Sequence, residues 1–227
     1  MKTSLAAALS ILGATLPFSI SAQTVVYDNT ANQLSNIHSV GVEYGDQIVL
    51  AGDSSLRTAT SFELTYYSSF AAAGAGVIRL YANDGAPVSG FSTTLNSPGT
   101  LLYQSASFDI IKSDESNPNN VIGTKVTVNL AGTGLVVPDT LTWTISIAGA
   151  SDVAKAGVLV SDPPTVGSSG GLFWEKDGGN WALKDLENNV NGNFSAKLTA
   201  VPEPGTVALG VIGVGWLALA GYRRSRK

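Results

Sequence analysis

Few residues in this chain of 227 could support nucleophilic catalysis. The sequence has no cysteine and one histidine, His38, so a single imidazole is available to act as a base beside a hydroxyl nucleophile. The neighbours Ile37 and Val40 favour an ordinary strand-edge position for His38. The glycine-rich segment at residues 167–171 is interpreted as a flexible loop and not as the turn that carries a catalytic serine. We therefore predict that the protein is not an enzyme.

A second chemistry, glycoside hydrolysis, needs two carboxyl groups that face each other across a cleft. The sequence offers six acidic residues for such a pair: Glu43, Asp46, Glu63, Asp109, Glu175 and Asp185. It does not show which of them converge, because any acidic chain contains such pairs. A surface glycoside hydrolase therefore stays an alternative.

Two acidic loops could bind calcium, which prefers carboxylate, amide and carbonyl oxygens. They are residues 83–85, with Asn83 and Asp84, and residues 114–117, with Asp114 and Glu115. Neither follows the spacing of an EF-hand, so we interpret both as solvated turns and predict no metal site and no cofactor. A structural calcium ion is the alternative.

Carbohydrate binding uses flat aromatic faces with a few polar groups at fixed positions. Trp174 and Trp181 flank the turn at residues 175–180 and could form an exposed rim, unless they complete a core. Tyr66 and Tyr67 are adjacent on a predicted strand, so one of them should face outward. These four aromatic residues are the candidate glycan site.

The elements that would position these residues are β-strands, because apolar and polar residues alternate with a period of two. The alternation is clearest at residues 61–67, 125–130, 139–147 and 194–199. Shorter predicted strands lie at residues 24–27, 47–51, 77–81, 101–110, 157–160 and 172–174. About ten such strands indicate an all-β, antiparallel β-sandwich of jelly-roll type. Trp143, Val158 and Phe194 are predicted to lie in its core.

Composition indicates one acidic domain between two hydrophobic ends. Residues 23–200 hold 8 basic and 16 acidic residues, a net charge of −8. A nucleic-acid partner is therefore not expected, because no basic surface is available to neutralise phosphates. The 178 residues of this segment suffice for a single domain with a sizeable core.

The N-terminal 22 residues have the three-part layout of a secretory signal peptide. Lys2 supplies the positive charge, residues 5–20 are apolar, and small residues precede a cleavage site between Ala22 and Gln23. The layout predicts export, with an N-terminal membrane anchor as the alternative.

The C-terminal residues 201–227 resemble a membrane-spanning segment with a stop-transfer signal. Residues 205–222 carry no charge, and as a helix they would be about 27 Å long, close to the thickness of a bilayer core. Four basic residues follow, which favour the cytoplasmic side: Arg223, Arg224, Arg226 and Lys227. The sequence thus predicts a single transmembrane helix with the preceding domain outside the membrane.

A short motif directly before this helix identifies a resemblance to a family. The motif is Val201-Pro202-Glu203-Pro204, and with the apolar helix and the Arg-rich end it resembles a PEP-CTERM sorting signal. In that family an exosortase, a membrane enzyme with a cysteine nucleophile, recognises and processes the tail. The resemblance implies a Gram-negative bacterium that builds exopolysaccharide or a biofilm matrix. Two prolines would keep the motif extended and accessible, with Glu203 as the side chain to be recognised.

The central segment is also similar to an uncharacterised β-rich module that often precedes PEP-CTERM tails. The similarity lies at residues 43–48, 80–85, 138–143 and 173–175, and it implies no activity.

These observations predict three segments: a signal peptide at 1–22, a β-sandwich at 23–200 and a sorting signal at 201–227. The expected protein is structural or adhesive, passes through the inner membrane and resides at the cell surface or in an exopolysaccharide matrix. A lectin-like glycan-binding module is the alternative function.

Overall fold

The computed structural model of the protein describes residues 22–69, 74–113, 123–148, 156–186 and 193–202. Within these ranges the chain forms fifteen β-strands and no helix, which confirms the all-β prediction. The strands are β1 (Thr24–Asp28), β2 (Gln33–His38), β3 (Glu43–Val49), β4 (Thr58–Ser68), β5 (Gly74–Ala82), β6 (Pro87–Gly90), β7 (Thr93–Asn96), β8 (Leu101–Gln104), β9 (Phe108–Ile110), β10 (Thr124–Asn129), β11 (Thr140–Ala148), β12 (Ala156–Ser161), β13 (Ser168–Asp177), β14 (Asn180–Asp185) and β15 (Ala196–Val201).

Two antiparallel sheets contain most of the strands. The first sheet has the order β1-β15-β4-β12-β2, and β10 also pairs with β4. The second sheet has the order β14-β13-β3-β11-β5-β8, and β9 also pairs with β5. A separate hairpin consists of β6 and β7, and β6 packs against β14. The chain repeatedly crosses between the sheets, for example from β3 to β4 and from β4 to β5.

The core lies between the two sheets and follows the predicted alternation. Phe62 of β4 contacts Trp143 of β11, with ring centroids 5.3 Å apart. Trp143, Val158 and Phe194 are all fully buried, as the sequence predicts. Burial of each large apolar side chain contributes about 1.5–3 kcal/mol, so this shared interior holds the sheets together.

Several strand boundaries differ from those predicted. The predicted strand at residues 101–110 is two strands that are interrupted at Ser105. The Ser105 N–H still donates to the Ile78 carbonyl at 2.9 Å, but the Ile78 N–H donates to the Ser105 Oγ at 3.0 Å and not to a backbone carbonyl. The segment at residues 167–171, predicted as a flexible loop, instead lies largely in β13. The strands β2, β6, β7 and β14 were not predicted. Polar residues occupy four of the six positions of β2, and β6 and β7 are only four residues long.

The predicted terminal segments lie mostly outside the described residues. The signal-peptide prediction includes residues 1–21, and the sorting-signal prediction includes residues 203–227, none of which is described. Among the strands and loops that the structure does describe, no helix is long and apolar enough to cross a bilayer.

Candidate functional site

The hairpin of β13 and β14 positions the two predicted glycan-binding tryptophans. Gly178 and Gly179 form its turn with φ angles of +55° and +89°, a conformation that glycine adopts without strain. In this register Trp181 pairs with Lys176, and Trp174 pairs with Leu183. All four face away from the core, because the alternating residue Phe173 belongs to the interior.

Trp174 does not form the predicted exposed rim. Its side chain is fully buried although it lies on the outward side of the second sheet. The outward side is covered near this point because β6 packs on β14, where Gly90 approaches Leu183. Trp181 is half-buried and retains an accessible part of its ring.

The predicted tyrosines divide between the two sides of their strand. Tyr66 points into the core and is fully buried, and its hydroxyl accepts a hydrogen bond from the Ile111 N–H at 3.0 Å. Tyr67 faces outward and is half-buried, as the alternation predicts. Because Tyr67 lies on the first sheet and Trp181 on the second, the two rings cannot form one binding platform.

Trp181 instead belongs to a group of side chains on the outward side of the second sheet. The Tyr81 ring meets it edge to face at 5.5 Å, and Lys176 Nζ lies 5.1 Å from its centroid. We call this group the outer-face network; its members are Glu43, Arg79, Tyr81, Thr144, Lys176 and Trp181.

Glu43 is the centre of the outer-face network. Its Oε1 accepts hydrogen bonds from the Tyr81 hydroxyl at 2.9 Å and the Thr144 hydroxyl at 2.7 Å. Its Oε2 lies 3.4 Å from Arg79 Nη1 and 4.0 Å from Lys176 Nζ. Burial and the Glu43 carboxylate raise the pKa of Tyr81, so this phenol stays a donor. An aromatic ring beside fixed donors and acceptors is an arrangement that can bind a polyhydroxylated ligand.

Of the other predicted carboxylates, two have basic partners and two are exposed. Glu63 pairs with Lys125 at 2.8 Å on the first sheet, and Glu175 lies 3.9 Å from Lys184 on the second. Burial raises the pKa of Glu175. Asp109 and Asp185 are exposed.

His38 is on β2, the edge strand of the first sheet, and packs against aromatic rings. Its ring centroid lies 4.6 Å from Phe173 and 5.1 Å from Tyr44, and its Nε2 is 3.5 Å from Glu175 Oε1. Burial lowers the pKa of His38 to about 4, so the imidazole is neutral at pH 7.

The predicted calcium loops are only partly described. Asp84 uses both carboxylate oxygens on Thr100, accepting from its N–H and its hydroxyl at 2.6 Å each. These bonds lower the pKa of Asp84, and they show that its side chain stabilises the turn at residues 83–85. Residues 114–117 lie outside the described residues.

A second polar site was not predicted as a unit. Asp46 faces the interior from β3 and lies among polar side chains from four other parts of the chain. We call this group the buried oxygen cluster, and its members are Tyr27, Asp46, Asp162, Ser169 and Asn193. One feature of the sequence could have indicated this site. Asp46 alternates with Tyr44 and Ile48 on the inward side of the strand, where an apolar residue is expected.

Ser169 also has a sequence context that was not recognised. Residues 167–171 have the spacing Gly-x-Ser-x-Gly, which in some hydrolases presents a nucleophile on a strand-to-helix turn. Here the segment leads into strand β13, and the Ser169 hydroxyl donates to Asn193 Oδ1 and not to an imidazole. The structural context therefore differs from that of a nucleophile elbow.

Comparisons of the chain with protein-family models, with curated proteins and with solved structures find no match.

Proposed function

We propose that this protein is exported to the cell surface or extracellular matrix, where it has a structural or adhesive role in an exopolysaccharide layer. In this proposal the signal peptide directs export, the C-terminal helix holds an inner-membrane intermediate, and an exosortase-type enzyme processes the PEP-CTERM-like tail. The protein acts by binding and not by catalysis, and its net charge of −8 over residues 23–200 disfavours nucleic acid as a partner.

The observation that carries this proposal is the position of the two predicted processing sites at one end of the first sheet. The strands β1 and β15 pair in antiparallel fashion, with Thr24 opposite Ala200. Ala22 and Gln23 are exposed just before β1, and Pro202 follows directly after β15. Both junctions would therefore be reachable on one side of a folded domain that stays attached to the membrane by its last strand.

The strand order supports the finer description of the domain as jelly-roll-like. Strand β11 lies between β3 and β5 in the second sheet, while β10 pairs with β4 in the first. In a jelly roll, strands from the later part of the chain lie beside strands from the earlier part in both sheets.

The sorting proposal is tested with Glu203→Ala in the full chain, expressed in a bacterium with an exosortase and in the same strain without one. We expect wild type to lose its tail only when the enzyme is present, and Glu203→Ala to remain full-length in the membrane fraction. Asp109→Ala, which removes an exposed carboxylate of the domain, is the matched control and should be processed normally. Normal tail loss in Glu203→Ala would contradict the proposal.

A second candidate function, glycan binding, is favoured by the half-buried Trp181 of the outer-face network. The accessible ring lies beside Lys176 and close to the carboxylate of Glu43, which supplies both stacking and hydrogen-bonding groups. We expect Trp181→Ala to weaken binding to the producer's exopolysaccharide by about tenfold or more. Tyr67→Ala, which removes a half-buried ring from the opposite sheet, is the control and should bind like wild type. Equal affinity in the two variants would place any glycan site elsewhere.

A further inference from the structure

The carboxylate of Asp46 is enclosed in the sandwich with one oxygen unused. Asp46 is fully buried, and its Oδ2 accepts a hydrogen bond from the Phe194 N–H at 2.9 Å. Its Oδ1 is buried and has no hydrogen-bond partner among the described residues. The hydroxyl oxygen of Tyr27, which is also fully buried, likewise has no hydrogen-bond partner among the described residues.

The other members of the buried oxygen cluster converge on this carboxylate. Asn193 donates from Nδ2 to Asp162 Oδ1, while its own Oδ1 accepts from the Ser169 hydroxyl and from the Gly171 N–H at 3.3 Å. Ser169 and Asp162 both lie close enough to Asp46 to influence its ionisation. The cluster thus brings together two carboxylates, an amide oxygen and two hydroxyls.

The Asp46 carboxylate has no basic partner among the described residues. None of the ion pairs among the described residues involves Asp46, and the neighbouring Asp162 adds charge of the same sign. Burial together with Asp162 raises the pKa of Asp46. A buried carboxylate is stable only with a proton or a positive partner, because transfer of an unpaired ion from water is strongly unfavourable.

A cavity opens beside the cluster and reaches three of its members, while Asp46 and Tyr27 lie behind them and are fully buried. It has a volume of about 410 Å³, and its lining includes Asp162, Ser169 and Asn193. Gly167 allows the chain to close over this region: its φ is +74°, and a Cβ there would lie 2.5 Å from the Val49 carbonyl oxygen and 3.0 Å from the Tyr27 ring. An ion could therefore reach the oxygen atoms of Asp162, Ser169 and Asn193 from outside, on the side that faces Asp46.

We propose that the buried oxygen cluster is a calcium site, with Asp46, Asp162, Ser169 and Asn193 as its protein ligands. Calcium is a hard cation that takes six to eight oxygens, combines carboxylate, amide and water ligands, and tolerates irregular geometry. Magnesium, which demands a regular octahedron, fits such a mixed set less well. The ion would join β3 to the segments that follow β12 and precede β15, and so close one end of the sandwich.

The test uses the full chain, titrated with calcium chloride at constant ionic strength and compared with magnesium chloride. We expect calorimetry to show one saturable calcium ion per chain, and the midpoint of thermal unfolding to rise by about 5 °C at saturation. Terbium chloride, a luminescent substitute for calcium, should bind and be displaced by calcium. No heat, no shift and no terbium signal at millimolar calcium would overturn the proposal and leave a proton as the partner of Asp46.

Three variants locate the site. Asp46→Asn keeps an acceptor for the Phe194 N–H, and Asp162→Asn changes a residue of the cavity wall. Each should weaken calcium binding at least tenfold. Asp84→Asn makes the same change of charge in the rival loop and should bind like wild type. Should Asp46→Asn fail to fold, Asp162→Asn carries the test alone. Loss of binding in Asp84→Asn with retention in Asp162→Asn would contradict the assignment.

Discussion

Glu43 and Asp46 lie three residues apart on β3, and both carboxylates are removed from most of the solvent, but their surroundings differ. The Glu43 side chain is 12% exposed and has two hydroxyl donors and two basic groups around it. Asp46 is fully buried, has one backbone donor, and has a second carboxylate nearby. One residue faces outward and the other inward, because β3 presents alternate residues to opposite sides.

Glu43 belongs to a polar network in which both carboxylate oxygens have partners, whereas one oxygen of Asp46 has no hydrogen-bond partner among the described residues. The partners of Glu43 compensate its charge within the protein, so the outer-face network is stable by itself and can present Trp181 and Lys176 to a ligand. Asp46 has the Phe194 N–H as a donor, with the Ser169 hydroxyl and a second carboxylate nearby, and it has no basic partner among the described residues. An unpaired buried oxygen is thus a better indication of a missing ligand than a dense set of contacts.

The largest expected effect tests whether the outward side at β13 is as well packed as the core. Trp174→Ala should reduce the free energy of unfolding by about 3–5 kcal/mol, because a fully buried indole leaves a large cavity. Trp181→Ala, on the same hairpin but half-buried, should cost about 1–2 kcal/mol. Urea unfolding measures both. Similar small losses for the two variants would show that the outward side is not a packed layer.

Glu43→Gln tests the outer-face network. We expect a loss of about 2 kcal/mol, because the charge-assisted bonds to Tyr81 and Thr144 weaken and Arg79 loses its ionic partner. Urea unfolding with an unchanged slope is the measurement. A loss below about 0.5 kcal/mol would mean that Glu43 behaves like an exposed surface acid.

The stability of the protein should change with pH because of His38, which lies on the edge strand β2 of the first sheet. Its pKa falls from 6.5 to about 4 on folding because burial disfavours the imidazolium. The unfolded chain therefore binds the proton first, and stability should fall by roughly 1–2 kcal/mol as the pH decreases from 6.5 to 4. The midpoint of thermal unfolding across this range is the measurement.

Glu175 and Lys184 face the same edge, so the effect of His38 has to be isolated. Burial raises the pKa of Glu175, which favours the folded state as the pH falls and opposes the histidine. The comparison is therefore wild type against His38→Gln, in which the fall between pH 6.5 and 4 should be smaller. Identical profiles for the two proteins would refute the role of His38.

The smallest effect has the opposite sign and sharpens the contrast between the two carboxylates. In calcium-free buffer Asp46→Asn should raise the free energy of unfolding by about 1 kcal/mol, because a neutral amide avoids burying charge and can donate a hydrogen bond. Urea unfolding with a chelator present measures this. A loss comparable to that of Glu43→Gln would mean that the Asp46 carboxylate is already compensated.

The sequence predicted the fold class but not the complete strand list. Alternation placed Trp143 and Phe194 in the core, and it predicted that one of Tyr66 and Tyr67 faces outward, which is Tyr67 in the structure. It missed β2 and the β6–β7 hairpin, whose polar residues give no apolar face. It left Trp174 open between an exposed rim and a buried position, because alternation shows only to which side of the sheet a residue points. Whether an outward residue is exposed depends on what packs over it, and here β6 contacts the neighbouring strand.

The candidate sites, too, were predicted only in part from the sequence. The sequence identified Asp46 as a candidate carboxylate, but it did not predict that Asp46 lies near Asp162 and Asn193. Such contacts join distant parts of the chain: the hydrogen bond from Phe194 to Asp46 spans 148 positions. The predicted signal peptide and sorting tail, by contrast, depend on order and composition within short segments, so no fold was needed to propose them.

By itself the sequence determined which residues alternate, because the pleat of a β-strand sends successive side chains to opposite sides whatever the strand pairs with. Only the tertiary structure decided which strands became neighbours, and therefore which charges found partners. Desolvation acts on the assembled molecule: it removes water from Glu43 and Asp46 alike, but long-range pairing supplied donors to the first and placed another carboxylate near the second.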